Sequence, residues 1–147
     1  CLLIDFGASY DGMHADITRT FFCQHLSEEH HMIYDVVHAA NEAGKKVVSI
    51  GTQVGAVDDA ATSVLEASPY SNMILHKTGH GLGHDIHEAP QVMRGNNTPM
   101  LEGMVFTVEP GLYKSGEIGV RIEDDIYIGP EGADCLTSFS REVQFFG

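Results

Sequence analysis

Residues 76 to 90 read HKTGHGLGHDIHEAP, and this stretch decides how the rest of the chain is interpreted. Four of the nine histidines lie within residues 76 to 87. The spacing of His76, His80 and His84 fits one face of a helix, but each intervening glycine costs a helix about 1 kcal/mol relative to alanine. We therefore expect an extended or looped segment, in which the glycines let the backbone approach a ligand or an ion and His80 projects outward. A phosphate-binding GxGxG loop is a weak alternative.

Two aspartates lie in the strand-like runs that precede this stretch. Residues 2–6 (LLIDF) and 17–22 (ITRTFF) are predicted to pair as a β-hairpin, because turn-forming residues separate them. If the turn centres on residues 10 and 11, Asp5 faces Asp16, and a turn one residue later makes the two diagonal neighbours. Both arrangements place the two carboxylates on one face, where they repel unless a cation joins them. The common alternative is that Asp5 simply flanks a turn.

Two glutamates lie in apolar runs that follow the stretch, Glu109 in VFTVEPG and Glu123 in GVRIEDD. A buried carboxylate needs a cation or several hydrogen bonds, so the structural alternative is a salt bridge to Arg121 or Arg94. The two aspartates after Glu123 fit a solvated acidic turn equally well.

Together these positions supply four carboxylates and one imidazole. Clustered carboxylates cannot all stay ionised near neutral pH without compensation, and two divalent cations would neutralise them. Ligands of this type suit Mn, Fe, Co or Zn, and two such ions can share a hydroxide that is nucleophilic at neutral pH. The candidate metal ligands are Asp5, Asp16, His80, Glu109 and Glu123.

The remaining regular elements follow from hydrophobic periodicity. Helices are predicted from Ser27 to Gly51 and over residues 57–65, the second of them ending at Ser68-Pro69. A His-, Gly- and Pro-rich loop from residue 72 precedes strands at 104–108 and 119–128. The predicted order is two strands, two helices, a loop and two strands, which is an α/β (α+β) chain without internal repeats or linkers.

The charge balance excludes several classes of function. Eight Lys and Arg residues against 21 Asp and Glu residues give a formal charge of −13, so nucleic acid and anionic membranes are repelled. The chain also lacks a long apolar segment that could span a membrane. Three cysteines without a CxxC pair indicate a reducing, cytoplasmic location, and we expect them to be small buried hydrophobic residues.

The order of the motifs resembles the pita-bread dimetal peptidases, which include aminopeptidase P, prolidase and methionyl aminopeptidase. The matching segments run through the chain as DFGASYDGMHADITRT, HKTGHGLGHDIHEAP, VFTVEPGLY and GVRIEDDIYI. The resemblance implies that Asp5 holds one metal ion, that Asp16 and Glu123 bridge both ions, and that His80 and Glu109 hold the second.

The same resemblance implies an activity, metal-dependent hydrolysis of the Xaa-Pro bond by a hydroxide that bridges two metal ions, most simply Mn. His87 is expected to contact the substrate and stabilise the transition state, and His76 to be a catalytic residue that also contacts the substrate. Glu109 is expected to carry the proton to the leaving nitrogen. The segment GVRIED, which contains Arg121, is similar to that of the proline-specific branch of the family. Arg121 is therefore expected to bind substrate. The implied partner is a peptide with proline in its second position, and the implied assembly of the full-length protein is a homodimer.

Members of this family carry a preceding half of the catalytic domain and usually a further N-terminal domain, whereas residue 1 here falls on the first ligand strand. Residues 1–147 are therefore expected to form the C-terminal portion of a catalytic domain. Two other functions stay open at this point. One is a non-catalytic, protein-binding relative, and the other is a hydrolase of a small amide or amidine.

Overall fold

A computed structural model describes all 147 residues, and it contains two α-helices and ten β-strands. This mixture agrees with the predicted α/β (α+β) class. None of its helices combines the length and the apolar character needed to cross a membrane. In chain order the elements are β1 (Leu2–Tyr10), β2 (Met13–Cys23), α1 (Glu28–Lys46), α2 (Gly55–Glu66), a short 3-10 helix (Ser71–Met73), β3 (Gly79–Gly81), β4 (Glu88–Val92), β5 (Val105–Val108), β6 (Gly111–Lys114), β7 (Ile118–Arg121), β8 (Asp124–Gly129), β9 (Gly132–Cys135) and β10 (Gln144–Phe146).

The first two strands form the predicted hairpin, and both are longer than the sequence indicated. Asp11 and Gly12 have φ angles of 50° and 78°, which identifies a tight two-residue turn of the kind that favours Asp-Gly. This turn selects the second of the two predicted registers, in which Asp5 pairs with Thr18 and Asp16 pairs with Gly7. The two aspartates are therefore diagonal neighbours on one face of the hairpin.

The two helices begin close to their predicted starts. The side chain of Ser27 accepts a hydrogen bond from the His30 N–H at 3.2 Å and so caps α1. The prediction extended this helix to Gly51, but the helix ends at Lys46. Val47 and Val48 lie beyond its end and pack in a second apolar cluster. Helix α2 ends before Ser68-Pro69, as the proline predicted.

The strands are arranged in three sheets, and the two helices pack against strands β4 to β7. The order is β1-β2-β10 in one sheet, β4-β3-β5-β8-β9 in a second, and β6-β7 in a third. One apolar cluster joins both helices to β6 and β7, and another joins α2 to β4, β5 and β8. Ile122 belongs to the first cluster, whereas the side chain of the next residue, Glu123, turns toward β2 and meets the Thr18 hydroxyl.

Two of the alternating glycines are required by packing between strands. A Cβ atom at Gly79 would collide with the Thr107 carbonyl oxygen on β5, and one at Gly81 would collide with the Ala89 carbonyl oxygen on β4. We expected these glycines to admit a ligand or an ion. The structure shows that they instead allow β3 to fit between its two neighbouring strands. The predicted loop also contains two short strands, β3 and β4, which the glycines and prolines obscured.

The cysteine prediction was wrong in one respect. All three cysteines are free, as expected, but Cys1, Cys23 and Cys135 are exposed rather than buried. Each lies at or next to the end of a strand, where the side chain leaves the sheet. The apolar tail of the chain forms β10, which pairs in parallel with the end of β2.

Candidate metal centre

His80 lies at the centre of the candidate site, on the middle residue of β3. Its side chain is buried, and its Nδ1 lies 3.0 Å from the Gly81 carbonyl oxygen. Because a carbonyl only accepts hydrogen bonds, this contact places the imidazole proton on Nδ1 and leaves the lone pair of Nε2 free. That Nε2 faces two carboxylates, at 3.3 Å from Glu109 Oε1 and 3.9 Å from Asp16 Oδ2.

Three different segments bring the acidic residues to this imidazole. Asp16 comes from β2, Glu109 follows β5, and Glu123 lies between β7 and β8. One potential ligand atom from each of Asp16, His80 and Glu123 lies within 4.8 Å of the others, and all three residues are buried. The predicted convergence of distant residues is therefore present for four of the five candidate ligands.

The electrostatics of this cluster fit a cation. Burial, reinforced by the nearby carboxylate of Glu109, raises the pKa of Glu123 to about 9. Burial also raises the pKa of Glu109, and burial together with Asp5 raises the pKa of Asp16. The protein itself supplies too little positive charge here, so these carboxylates must bind either protons or metal ions. A donor set of carboxylate oxygens and one imidazole matches divalent ions such as Mn, Fe, Co or Zn.

Asp5, the fifth predicted ligand, has a different environment. Its side chain is about half exposed and forms an ion pair with Arg121 Nη2. It stays close enough to raise the pKa of Asp16 through its charge. The structure therefore places Asp5 beside the cluster, on the same face of the hairpin as Asp16, and its role as a ligand stays a prediction.

The two other predicted histidines also lie around the cluster. The ring of His87 packs edge-on against His80, with 4.3 Å between the ring centroids. His76 is more distant from the carboxylates, and its Nε2 lies 2.7 Å from the hydroxyl of Tyr113. The same hydroxyl accepts a hydrogen bond from Arg121 Nη1 at 3.2 Å. Tyr113 thus links two of the residues that were predicted to contact substrate.

Arg121 makes part of the salt bridge that was the structural alternative to metal binding. Its Nε lies 3.8 Å from Glu109 Oε2, and its Nη2 contacts Asp5. Arg94, the other possible partner, is engaged on the surface with Asp59 and Glu66. One guanidinium cannot balance the whole cluster, since burial still raises the pKa of Glu109 against its influence.

Two threonines that the sequence analysis did not select orient the glutamates. The hydroxyl of Thr18 donates to Glu123 Oε2 at 2.5 Å, and the hydroxyl of Thr107 donates to Glu109 Oε1 at 3.1 Å. Each threonine stands two residues from a candidate ligand, Thr18 after Asp16 within β2 and Thr107 before Glu109, which directly follows β5. Strand periodicity places such residues on the same face, and this was the available signal.

The aspartates after Glu123 are not in a solvated turn, so that alternative was wrong. Asp124 and Asp125 are both buried in β8. Asp125 Oδ2 accepts a hydrogen bond from the backbone N–H of Asp16 at 3.0 Å, which ties β8 to the strand that carries this ligand. Burial raises the pKa of Asp125 to about 6, and its Oδ1 is buried without a hydrogen-bond partner.

Comparisons with known proteins agree with this geometry. The chain is 36% identical over 142 residues to a Xaa-Pro dipeptidase from Pyrococcus furiosus, covering 97% of this chain and 41% of that protein. A prolidase structure from Thermococcus sibiricus matches with a TM-score of 0.95 at 39% identity, covering 98% of this chain and 39% of the other. An X-Pro aminopeptidase structure from Thermotoga maritima matches with a TM-score of 0.93 at 35% identity, covering 98% and 41%.

The chain spans about 40% of the length of these relatives. Their similarity confirms the predicted pita-bread fold for the part that is shared. The sequence model of metallopeptidase family M24 matches residues 1–130, which include every candidate site residue. The chain belongs to metallopeptidase family M24.

Proposed function

We propose that the protein containing this chain hydrolyses the peptide bond between an N-terminal residue and proline, in dipeptides or longer peptides. The observation that carries the proposal is the buried convergence of Asp16, His80 and Glu123, with Glu109 Oε1 3.3 Å from His80 Nε2. The relatives with this fold are named Xaa-Pro dipeptidase, prolidase and X-Pro aminopeptidase, which supports a proline-directed peptidase.

We propose that residues 1–147 form the C-terminal portion of the catalytic domain. The coverage of about 40% of each relative supports this division. Because residues outside this portion would complete the substrate pocket, activity is to be measured on the complete protein.

The metal ions that this family requires would be held by five residues, Asp5, Asp16, His80, Glu109 and Glu123. Binding would require Asp5 to exchange its contact with Arg121 for the ion. We propose two divalent ions, most simply Mn, which would change the formal charge from −13 to −9. When bound, such ions polarise a carbonyl group and make water nucleophilic at neutral pH.

The side chains around the cluster have separate roles in the proposed reaction. Glu109, whose pKa burial raises, is suited to hold a proton and to deliver it to the nitrogen of the leaving proline. His87, packed against His80, is placed to donate an N–H to the carbonyl oxygen as negative charge develops there. The Glu109 side chain is largely shielded from water, which strengthens its electrostatic effect, whereas His87 is exposed and accessible to a substrate.

The substrate would be recognised by the chain of hydrogen bonds that joins His76, Tyr113 and Arg121. This hydrogen-bonded series presents the rings of His76 and Tyr113 and the guanidinium of Arg121 next to Glu109. Arg121 Nε lies 3.8 Å from the Glu109 carboxylate. We propose that it contacts the proline ring and the carboxyl side of the substrate. His76 would orient the peptide, and Arg121 would provide its positive charge.

We further propose a cytoplasmic location and a homodimer for the complete protein. Three unpaired, exposed cysteines support the reducing compartment. The apolar side chains of β1, including Phe6 and Tyr10, are largely exposed and support burial against another part of the assembly.

The test of the proposed function measures metal content and peptide cleavage together. Wild-type protein is expected to bind two metal ions and to cleave Xaa-Pro peptides in preference to matched Xaa-Ala peptides and small amides. Asp16→Ala is expected to abolish cleavage, whereas Asp35→Ala, which removes an exposed carboxylate of α1, serves as the matched control. Xaa-Pro cleavage retained by Asp16→Ala would contradict the proposal, and cleavage of amides alone would assign a different reaction.

A further inference from the structure

One buried side chain outside the cluster contacts the backbone of both glutamate ligands. Asn41 lies on α1 and is completely buried. Its Nδ2 group donates to the Val108 carbonyl oxygen at 2.9 Å and to the Ile122 carbonyl oxygen at 3.3 Å. Val108 and Ile122 are the residues directly before Glu109 and Glu123. A single carboxamide therefore joins the two backbone segments that deliver these ligands.

The opposite side of each peptide group is also held. The N–H of Glu109 donates to the Thr78 carbonyl oxygen at 2.7 Å, and the N–H of Glu123 donates to the Thr18 carbonyl oxygen at 3.1 Å. Each peptide plane that enters a ligand glutamate is thus fixed at its oxygen by Asn41 and at its nitrogen by a neighbouring strand. Since a peptide group is planar, these two bonds set the direction in which the following Cα atom presents its side chain.

We infer that Asn41 is a positioning residue for metal binding, which sets the spacing and orientation of Glu109 and Glu123 from behind the sheet. This inference rests on the proposed metal site. Asn41 is not itself a candidate ligand, because its carboxamide is occupied by the Val108 and Ile122 carbonyls and by the side chain of Asp124, which lies outside the cluster. Asn41 would hold the metal ligands in place without touching the metal. Loss of such a supporting residue typically weakens metal binding 10- to 100-fold.

An apolar residue at this position would have a second effect, since the carbonyls of Val108 and Ile122 would lose a buried donor. Any resulting shift of these two carbonyl groups would move the glutamates directly, because each glutamate is the next residue in the chain. A core substitution elsewhere would lower stability without this effect. The two roles can therefore be separated by comparing metal affinity with thermal stability in the same variants.

The experiment is a Co²⁺ titration of the metal-free protein, followed by visible absorption, together with the melting temperature of each metal-free variant. Asn41→Leu retains the volume and removes the donor, and we expect at least a tenfold loss of Co²⁺ affinity with an altered absorption spectrum. Asn41→Gln retains the donor and is expected to recover most of that affinity. Leu65→Ala on α2 removes buried volume far from the carboxylates and is expected to lower the melting temperature with Co²⁺ affinity unchanged.

The possible outcomes are distinct. Wild-type affinity in Asn41→Leu, or an equal loss in Leu65→Ala, would overturn the role of Asn41 and leave the metal site intact. Failure of the wild-type protein to bind Co²⁺ would overturn the metal site and the role of Asn41 together. Should Asn41→Leu not fold, Asn41→Ser replaces it. Its single hydroxyl can serve only one of the two carbonyls, and wild-type affinity in that variant would equally overturn the inference.

Discussion

Glu123 and Asp124 are consecutive, both are buried, and their surroundings are opposite. The carboxylate of Glu123 faces other carboxylates and one threonine hydroxyl, whereas that of Asp124 faces Arg19 at 2.7 Å, Lys45 at 2.8 Å and Arg141 at 3.2 Å. The protein thus surrounds the Asp124 carboxylate with its own cations and places carboxylates around Glu123, although burial raises the pKa of both groups. The difference separates a carboxylate that supports the fold from one that is available to bind a metal ion.

Arg19, which pairs with Asp124, also hydrogen-bonds backbone groups next to the candidate metal site. Arg19 Nη1 donates to the carbonyl oxygens of Glu123 at 2.5 Å and Thr18 at 2.9 Å, and Nη2 donates to the Phe139 carbonyl oxygen at 2.9 Å. One guanidinium therefore connects β2, β8 and the segment that leads to β10. The hydrogen bonds around Asp124 therefore reach the same backbone that carries Glu123.

The largest expected effect is the loss of activity when Glu123 is neutralised. Glu123→Gln retains the shape of the side chain but removes a metal-binding charge, so we expect Xaa-Pro cleavage by the complete protein to fall by more than the roughly 100-fold typical of changes in supporting residues. Steady-state kinetics and metal analysis measure this. The metal-free stability should not fall, because burial already favours the protonated form of Glu123 at pH 7. A large drop in that stability would remove the distinction between the two carboxylates.

The corresponding change at the neighbouring residue should act on stability. Asp124→Asn leaves three cationic side chains without their buried carboxylate, and breaking a buried ion pair typically costs about 3–5 kcal/mol. Urea denaturation of the metal-free chain measures this loss against Glu123→Gln. Equal stability of the two variants would show that Asp124 is not the structural member of the pair.

Removal of metal should destabilise the protein by an intermediate amount. A ligand present at 100 times its dissociation constant stabilises the folded state by about 2.7 kcal/mol, and chelation removes that contribution. We expect EDTA to lower the melting temperature of the metal-loaded wild type and to leave that of Glu123→Gln almost unchanged. Identical melting curves of the wild type with and without EDTA would count against a preformed site.

The last expected effect concerns the pH dependence of the metal-free chain. The pKa of Glu123 is raised from 4.5 to about 9 on folding, so the folded state binds more protons than the unfolded state between these values. Its contribution to stability is complete below pH 4.5 and is lost as pH rises through about 9. Urea denaturation at a series of pH values should therefore show wild-type stability falling toward pH 9, with a shallower fall in Glu123→Gln. If the stability of both proteins changed with pH in the same way, the proton taken up on folding would be bound by a group other than Glu123.

Much of this arrangement could be predicted from the sequence, because the candidate ligands lie in strands or directly beside them. Asp5 and Asp16 share a face through strand alternation alone, and the glycines around His80 excluded a helix. The motif order then placed His80, Glu109 and Glu123 together, although nothing local to each one predicts their contact.

The remainder depends on tertiary contacts that leave no local signal. Asp124 and Asp125 have the composition of a solvated turn and are buried only because Arg19 and the Asp16 N–H, both more than 100 residues away, supply partners. Asn41 has the periodicity of any helix residue, and its two bonds reach other elements. The exposure of the three cysteines depends on where each strand ends, which composition does not specify.

The long separation between Thr18 and Glu123, whose side chains are joined across 105 residues of chain, has a consequence for folding. Hairpin β1-β2 can form early from local contacts, but the ligand cluster exists only after the whole intervening chain has closed into a loop. Metal uptake should therefore report the completion of folding, and the bound ions would act as a clip that holds this loop closed.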